Sequence, residues 1–396
     1  MLNFDDAIKL IDSNISEKKI ITLPLEKCSG LVLAEKILAP VDIPAFTNSA
    51  MDGFAVIAAD LKSQSVKLEI IETVAAGSQS TKNVDSGKCV AIMTGAPLPR
   101  GADAVVKVEE TKREGNLVEI FVKVAKGENV RFKGEEAKKG EELIPAGTVI
   151  TPGVIGLISS LGKTEIQVNA PPKVSVIITG DEVLPPGSPF REGKIIDATG
   201  PGLKSALFLD KIPIVFFEYA KDDPEELDKK IRAAISCSDV VLIAGGASMG
   251  KYDFVQDILV KNEVKKIFWK VAVKPGKPIW FGKRADKMVF NLPGNPVSVL
   301  VTYYLYVRFA LKRMIGYNFA SAGLERATAK ISETIFKEDP RLEFVRGIFD
   351  GGGNVTPLRQ RGSAMLSGMA RANCLINFPC DSKKIFKGEK VEILKI

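Results

Sequence analysis

Acidic residues and glycines follow four apolar segments in the middle of the chain, and their chemistry suits a phosphorylated ligand. The four groups lie at residues 179–182, 222–223, 245–253 and 293–296. Glycines let backbone N–H groups approach an anion closely, and carboxylates can hold a Mg²⁺ ion that bridges phosphates. If the four groups lie close together in the folded chain, this combination of residues indicates a nucleotide or pyrophosphate site.

The candidate residues of this site are carboxylates, glycines, one hydroxyl and one proline. They are Glu182, Asp222, Asp253, Gly245, Gly246, Ser248, Pro293 and Gly294. Some also have an ordinary structural interpretation, since Asp222-Asp223-Pro224 could cap a helix and Gly180 and Gly294 could be turn glycines. Taken alone, the cap is the better interpretation of the two aspartates.

The pattern of strands and helices would bring the four groups to one edge of a sheet. After a double proline at 171–172, strands are predicted at 174–179, 212–219, 239–244 and 288–292, and helices at 199–210, 224–236, 254–261 and 296–315. This alternation is typical of a mostly parallel, doubly wound sheet, which binds ligands beyond the carboxyl ends of its strands. Turns without a function would be shared between both edges, so a common edge favours a binding site.

Two familiar nucleotide-binding motifs do not occur in the sequence. The segment GGASMGKY at 245–252 nearly matches a P-loop, but Tyr252 stands where that motif has the small hydroxyl residue that ligates Mg²⁺. No G-x-G-x-x-G follows a strand. A P-loop NTPase and a dinucleotide oxidoreductase are therefore disfavoured.

Basic residues form a second set of candidates. Lys270, Lys274 and Lys277 flank a Pro-Gly turn, so two ammonium groups could point the same way and bind an anion between them. Arg346 and Ser363 would suit a tetrahedral oxyanion. The alternatives are solvated lysines on a turn and an arginine on the surface.

The composition excludes several classes of function. The 396 residues include no histidine, which rules out Ser-His-Asp, Cys-His and imidazole-zinc chemistry. Five cysteines without a C-x-x-C pair fit a reducing compartment, and no signal peptide is evident, so a cytoplasmic protein is expected. The net charge of +7 is spread along the chain and the apolar runs are short, so neither nucleic acid nor a membrane is an expected partner.

Two further regions flank the α/β domain, which is expected at 171–316. Residues 1–170 are predicted as a bipartite N-terminal region that starts as helix, short strand, helix and carries an inserted β lobe at about 44–135. Residues 320–396 are predicted as a small β barrel or sandwich. In the lobe, the segment PAFTNSAMDGFAV places Asp52 either in a plain turn or toward a ligand.

Six motifs occur in an order that resembles one known family. They are PAFTNSAMDGFAV, AIMTGAPLPRGADAVV, ITGDEVLPPG, GGASMGKYDFV, VKPGKPIWFG and LPGNPVSV. Over essentially its whole length the chain resembles the molybdopterin molybdenumtransferases (the MoeA family, related to the E domain of gephyrin). The resemblance implies a molybdopterin-binding α/β domain with the same flanking domains. It also implies a homodimer in which the N-terminal lobe of one subunit leans over the α/β domain of the other.

The resemblance implies roles for individual residues. Asp52 and Thr94 would close the partner's site across the dimer interface. The acidic functional positions match Glu182, Asp222 and Asp253, and the basic and hydroxyl positions match Lys270, Lys274, Arg346 and Ser363. The chain departs from the family at Glu136, usually an aspartate, and at 197–199, where Asp-Ala-Thr stands in place of Asp-Ser-Asn or Asp-Thr-Asn. The roles of both segments stay open.

The implied reaction converts adenylylated molybdopterin and molybdate into molybdenum cofactor and AMP. Lys274, Lys277 and Arg346 could neutralise the anionic substrates, and Mg²⁺ held by Asp222 and Asp253 could polarise the phosphoanhydride. Two alternatives remain: a molybdopterin adenylyltransferase, which is also a candidate partner, and a non-catalytic scaffold. The dense carboxylates argue against a scaffold. The sequence does not distinguish molybdate from tungstate.

Overall fold

The computed structural model describes residues 1–16, 19–246 and 254–396. The chain forms two compact units. Unit 1 comprises residues 1–34, 149–151 and 165–396, and unit 2 comprises residues 35–148 and 152–164. Unit 2 is therefore an insertion near the start of unit 1.

Unit 1 contains a six-stranded sheet that confirms the predicted doubly wound α/β fold. From edge to edge its strands are Ile214–Ala220, Val174–Thr179, Val240–Ala244, Lys287–Leu292, Trp280–Arg284 and Lys265–Trp269. The first four are parallel, and the last two add an antiparallel edge that was not predicted. The two strands Val174–Thr179 and Val240–Ala244 are buried along their whole length, as expected for β-branched strands that are covered on both faces.

Three helices lie in the connections between strands of this sheet. They are Thr199–Leu209, Pro224–Cys237 and Val255–Lys261, and the third leads to the edge strand Lys265–Trp269. The second helix begins as its sequence predicts, because Asp223 Oδ1 accepts the Glu226 N–H at 2.8 Å and Pro224 occupies the first turn. The cap interpretation is thus correct for Asp223, which leaves Asp222 available for another role.

The predicted helix at 296–315 is present but is not uniform. Its consecutive segments are the α-helix Pro296–Thr302, the π-helical segment Tyr303–Val307 and the α-helix Arg308–Ile315. The buried Asp210 fastens this helix: one carboxylate oxygen accepts the Tyr303 hydroxyl at 2.8 Å, and the other accepts Arg308 Nε at 2.9 Å. The ion pair gives the buried carboxylate a compensating charge.

The C-terminal part of unit 1 is a closed five-stranded barrel. Its strands, in order around the barrel, are Leu342–Phe349, Asn354–Pro357, Arg326–Ile331, Lys390–Lys395 and Cys374–Phe378, and the last pairs with the first. Of the two predicted alternatives, the barrel is therefore correct. The short strand Val273–Lys274, which follows the α/β sheet's edge strand, extends the barrel by pairing in parallel with Leu342–Phe349.

The first 42 residues differ from the predicted order of helix, strand and helix. The helix Phe4–Asp12 is present, and the strand Ile20–Pro24 pairs with Glu165–Asn169. The second helix is wrong, because residues 25–42 contain only the 3₁₀ turn Leu25–Lys27 and the short strand Ile37–Leu38. The consecutive residues 31–33 are all buried, which extended backbone allows and an amphipathic helix does not.

Unit 2 is built on a six-stranded mixed sheet. From edge to edge its strands are Ala104–Lys107, Gly53–Val56, Lys88–Ile92, Val66–Val74, Leu117–Ile120 and Thr111–Glu114. A close approach requires a glycine at the start of one strand, since a Cβ on Gly53 would lie 1.8 Å from the carbonyl oxygen of Val106. Asp52 therefore directly precedes a buried strand rather than lying in an isolated turn.

The remaining elements are short. In unit 2 they are the strand pairs Asn48–Ser49 with Val130–Arg131 and Ile37–Leu38 with Glu142–Ile144, the helix Pro152–Ser160, and the 3₁₀ turns Ala58–Asp60 and Val108–Glu110. In unit 1 they are the strand pairs Val183–Leu184 with Ile195–Ile196 and Ile335–Phe336 with Lys384–Ile385, and the helices Phe319–Ala322 and Leu366–Arg371. The two sheets and the barrel are thus the framework on which the candidate residues lie.

Replacing Gly53 by alanine is expected to destabilise the protein by about 1–3 kcal/mol, because the new methyl group forces two strands apart. Gly156→Ala is the matched control: Gly156 lies in the helix Pro152–Ser160 of the same unit with open space around it, and alanine is favoured there by about 1 kcal/mol. Urea unfolding midpoints compare the two variants. Equal midpoints would contradict the close approach.

Candidate active site

A pocket of about 250 Å³ lies at the carboxyl edge of the α/β sheet. It is lined by residues from all four predicted groups, among them Glu182, Asp222, Gly245, Gly246 and Gly294. The parallel strands run in the order second, first, third, fourth, so the chain reverses direction across the sheet between the first and third strands. Ligands bind at such a switch point in open α/β sheets.

Hydrogen bonds join the ends of the first two strands. Thr179 donates its hydroxyl proton to Asp222 Oδ1 at 2.9 Å, and the Asp181 N–H donates to Asp222 Oδ2 at 3.4 Å. In return, the Asp222 N–H donates to Asp181 Oδ1 at 3.2 Å. The Asp222 carboxylate is therefore held in one orientation at the pocket wall.

Glycine brings the end of the third strand close to the first. A Cβ on Gly245 would lie 2.4 Å from the Thr179 carbonyl oxygen, and Gly245 has a φ of +107°. The fourth strand adds a further contact, because Asn291 Nδ2 donates to the carbonyl oxygen of Gly246 at 3.1 Å. Gly294 approaches Gly245 as well, with 3.9 Å from its Cβ position to the Gly245 Cα.

Asp197, whose segment departs from the family pattern, lines the same pocket and is 6% exposed. Its carboxylate accepts the backbone N–H groups of Thr199 at 2.7 Å and Gly200 at 3.0 Å, and so caps the helix Thr199–Leu209. It also accepts the Tyr219 hydroxyl at 3.0 Å. Burial, followed by this hydrogen bond to Asp197, raises the pKa of Tyr219 to about 12, so the phenol stays neutral and keeps donating.

Two predicted residues of the pocket, Ser248 and Asp253, lie outside the described residues. Within residues 1–16, 19–246 and 254–396, no group of three Asp, Glu, Cys or His side chains is arranged to hold a metal ion. No helix in these ranges is long and apolar enough to cross a membrane.

The predicted basic residues lie in three different places: a cleft next to the barrel, the face of a tryptophan ring, and the interior of the barrel. Lys274 and Lys277 line a cleft of about 1130 Å³ next to the barrel, whereas the ammonium group of Lys270 lies over the Trp269 ring, 3.8 Å from its centre. The cleft carries six cationic side chains and three carboxylates. Its chemistry therefore suits an anion.

Arg346 is buried in the barrel and is 2% exposed. The interpretation as a surface arginine is thus wrong. Its Nη2 donates to the carbonyl oxygens of Gln360 and Gly362, the latter at 3.1 Å. Burial lowers the pKa of Arg346 below its ordinary value, with a further contribution from the charge of Arg361. The guanidinium therefore holds the loop at 359–363.

Ser363 ends this loop and contacts the edge of the α/β sheet. Asn295 Nδ2 donates to Ser363 Oγ at 3.0 Å, and Asn295 follows Gly294 of the pocket. Sequence reasoning missed this link, as it missed Glu343 and Arg361 in the cleft, because a single asparagine, glutamate or arginine carries no motif. The link connects the loop at 359–363, which carries Arg359 and Arg361, to the pocket.

Asp52 and Thr94 lie together in unit 2. Asp52 Oδ1 accepts both the Thr94 N–H at 2.7 Å and the Thr94 hydroxyl at 2.8 Å. These two bonds, the backbone one first, lower the pKa of Asp52. The exposed carboxylate is therefore ionised over a wider pH range than a free aspartate.

Three family models match the chain in sequence order. They are the MoeA N-terminal region (domain I and II) at residues 2–162, the probable molybdopterin binding domain at 175–313 and the MoeA C-terminal region (domain IV) at 328–396. Together they cover most of the chain, in the order that the resemblance implied.

Full-length relatives give the same result. Molybdopterin molybdenumtransferases from Haemophilus influenzae and Staphylococcus aureus are 34% and 33% identical to this chain; the matches cover 99% and 98% of it, and 98% and 94% of the relatives. A molybdopterin biosynthesis moeA protein from Pyrococcus horikoshii OT3 matches with a TM-score of 0.87 and 30% identity, covering 100% of both chains. The chain therefore belongs to the MoeA family of molybdopterin molybdenumtransferases, which act in molybdenum cofactor biosynthesis.

Proposed function

We propose that this protein inserts molybdate into adenylylated molybdopterin and releases AMP. The observation that carries the proposal is the pocket at the switch point, where glycines and carboxylates from four strand ends surround one volume of about 250 Å³. Backbone N–H groups near glycines suit the diphosphate of such a substrate, and its pterin and AMP parts would extend from the pocket. The similarity to molybdopterin molybdenumtransferases supports the same reaction class.

Carboxylates at this pocket fit a Mg²⁺ ion, which takes oxygen ligands from one or two carboxylates and from substrate phosphates. Asp222, with Asp253, would hold the ion, which would supply Lewis-acid polarisation of the phosphoanhydride. Asp222 is suited to this role because Thr179 and the Asp181 N–H fix its orientation. Glu182 provides a further carboxylate in the pocket wall.

The cationic cleft would bind molybdate, the second substrate. Molybdate is a dianion, so the carboxylates of the pocket would repel it, whereas Lys274 and Lys277 would attract it. Tungstate has the same shape and charge and would be bound by the same groups. The bond between Asn295 and Ser363 supports the idea that the two substrates are held near one another.

The proposal includes a homodimer in which Asp52 and Thr94 complete the partner's site. The ionised Asp52 carboxylate, fixed by two bonds from Thr94, is exposed and so is available to a second copy of the chain. A molybdopterin adenylyltransferase is a further candidate partner, since it would supply the adenylylated substrate.

The direct test incubates the purified protein with adenylylated molybdopterin and molybdate and measures AMP by chromatography. Release of AMP that depends on molybdate is expected. A parallel reaction with molybdopterin and ATP tests the rival activity: consumption of ATP there, with no AMP release from the adenylylated form, would show an adenylyltransferase instead.

Asp222→Asn is expected to lower kcat/KM for AMP release by roughly 100-fold, because a neutral amide cannot replace the carboxylate charge toward Mg²⁺. Asp223→Asn is the matched control. Asp223 caps the next helix, and asparagine caps as well as aspartate does, so its kcat/KM should stay within about threefold. If both variants lose activity equally, Asp222 has no special role in the reaction.

Subunit complementation tests the composite site. Asp52→Asn and Asp222→Asn should each have very low activity alone, whereas a refolded equimolar mixture should recover about a quarter of the wild-type activity, because half of the dimers then carry one intact site out of two. The control is a mixture of Asp222→Asn with itself. No recovery, in a mixture shown by affinity tags to contain mixed dimers, would mean that Asp52 acts elsewhere.

A further inference from the structure

A buried carboxylate lies between two of the cations of the anion-binding cleft. Glu343 is 3% exposed, and its Oε1 accepts Arg361 Nη2 at 2.8 Å. Its Oε2 lies 3.6 Å from Lys274 Nζ, in an ion pair without a hydrogen bond. The register of the barrel sets this geometry, since Lys274 and Glu343 are directly paired in neighbouring parallel strands.

The other two carboxylates of the cleft, Glu338 and Asp339, are not buried between two cations in this way. Asp339 is occupied by Arg341, which donates to it from Nε at 2.8 Å, and Glu338 is exposed. Glu343 alone is buried and shared between two cationic side chains that are themselves partly exposed. One negative charge therefore holds two positive ones side by side, and the set keeps a net positive charge.

The loop that carries Arg361 is fixed on both sides. Arg346, on the same strand as Glu343, donates to the carbonyl oxygens of Gln360 and Gly362, so the backbone before and after Arg361 is held. Arg361 Nη1 also donates to the Phe336 carbonyl oxygen at 2.8 Å. The guanidinium therefore has a defined position although 28% of the side chain is exposed.

We propose that Arg361 is an additional ligand of the tetrahedral oxyanion substrate, and that Glu343 is a positioning residue that presents Arg361 and Lys274 together. The inference rests on the proposed function of the cleft. With the oxyanion bound, Arg361 keeps its hydrogen bond to Glu343. Lys274, which donates no hydrogen bond to Glu343, donates to the oxyanion. Arg346 supports this arrangement by holding the backbone on either side of Arg361.

The two roles that a buried carboxylate can have here predict opposite results. If Glu343 only contributed its charge, Glu343→Gln would remove a repulsion and the protein would bind an oxyanion more tightly. If Glu343 positions the two cations, the same variant frees both side chains and binding weakens. The sign of the change therefore decides between them.

The experiment measures binding of molybdate to the full-length protein by isothermal titration calorimetry, with AMP as a second probe. Arg361→Gln and Glu343→Gln are each expected to raise the Kd of molybdate about tenfold or more, the factor that loss of one charge-assisted contact gives. In the AMP-release assay the KM for molybdate should rise in the same proportion while kcat changes little. If instead AMP binding weakens and molybdate binding does not, the oxyanion held by Arg361 is the phosphate and the molybdate assignment is overturned.

Lys383→Gln is the matched control, because Lys383 is an exposed cation that lines the same cleft but does not belong to the 359–363 loop. It should raise the Kd less than threefold. A Kd for Arg361→Gln no larger than that of Lys383→Gln, or tighter binding by Glu343→Gln, would overturn the inference.

Because Glu343 is buried, the Glu343→Gln variant is compared only if its melting temperature matches that of the wild type. Arg361→Gln changes a partly exposed residue and tests the proposal by itself. Wild-type protein that releases AMP but shows no difference among the variants would overturn this inference alone, whereas wild-type protein that binds no molybdate would overturn the proposed function as well.

Discussion

The site depends on one backbone contact, the approach of Gly245 to the carbonyl oxygen of Thr179. A Cβ at Gly245 would lie 2.4 Å from that oxygen, so a glycine is needed for the first and third strands to end this close together. Thr179 also donates its hydroxyl proton to Asp222, which fixes the end of the second strand. The pocket therefore forms where these strand ends meet, and the connection between Thr179 and the helix Thr199–Leu209 supplies a further part of its wall.

The fold could be predicted where burial alone determines the pattern. Strands covered on both faces appear in the sequence as continuous apolar segments, and Val174–Thr179 and Val240–Ala244 were predicted almost to the residue. The edge strand Lys265–Trp269 begins with two exposed lysines and is only partly buried, so its sequence resembles that of a loop. The predicted helix before residue 42 was wrong because the periodicity of a short apolar run does not identify its secondary structure, and here residues 31–33 form buried extended backbone.

The candidate site could be predicted as a set of chemical groups but not as a geometry. Asp222 and the glycines follow from their positions after strands, since the edge of a parallel sheet brings such residues together. Arg346 shows the limit, because nothing in EFVRGIF distinguishes an arginine on the surface from one inside a barrel. Side chains on both faces of its strand are buried, Glu343 and Val345 on one face and Phe344 and Arg346 on the other. This burial follows from barrel closure and neighbouring loops and not from the strand's own sequence.

The two substrates of the proposed reaction need opposite electrostatic environments, and unit 1 provides both. Carboxylates in the pocket suit a metal-bridged diphosphate but would repel molybdate, whereas the cations of the cleft suit molybdate. The hydrogen bond between Asn295 and Ser363 joins the two environments, because each residue belongs to a loop that borders one of them. Two buried charges of a single barrel strand hold the loop at 359–363: Glu343 accepts a hydrogen bond from the Arg361 side chain, and Arg346 donates to backbone carbonyl oxygens of the loop. In the proposed reaction the barrel therefore contributes through its interior, and a change in its core would alter molybdate binding while every residue of the pocket stays in place.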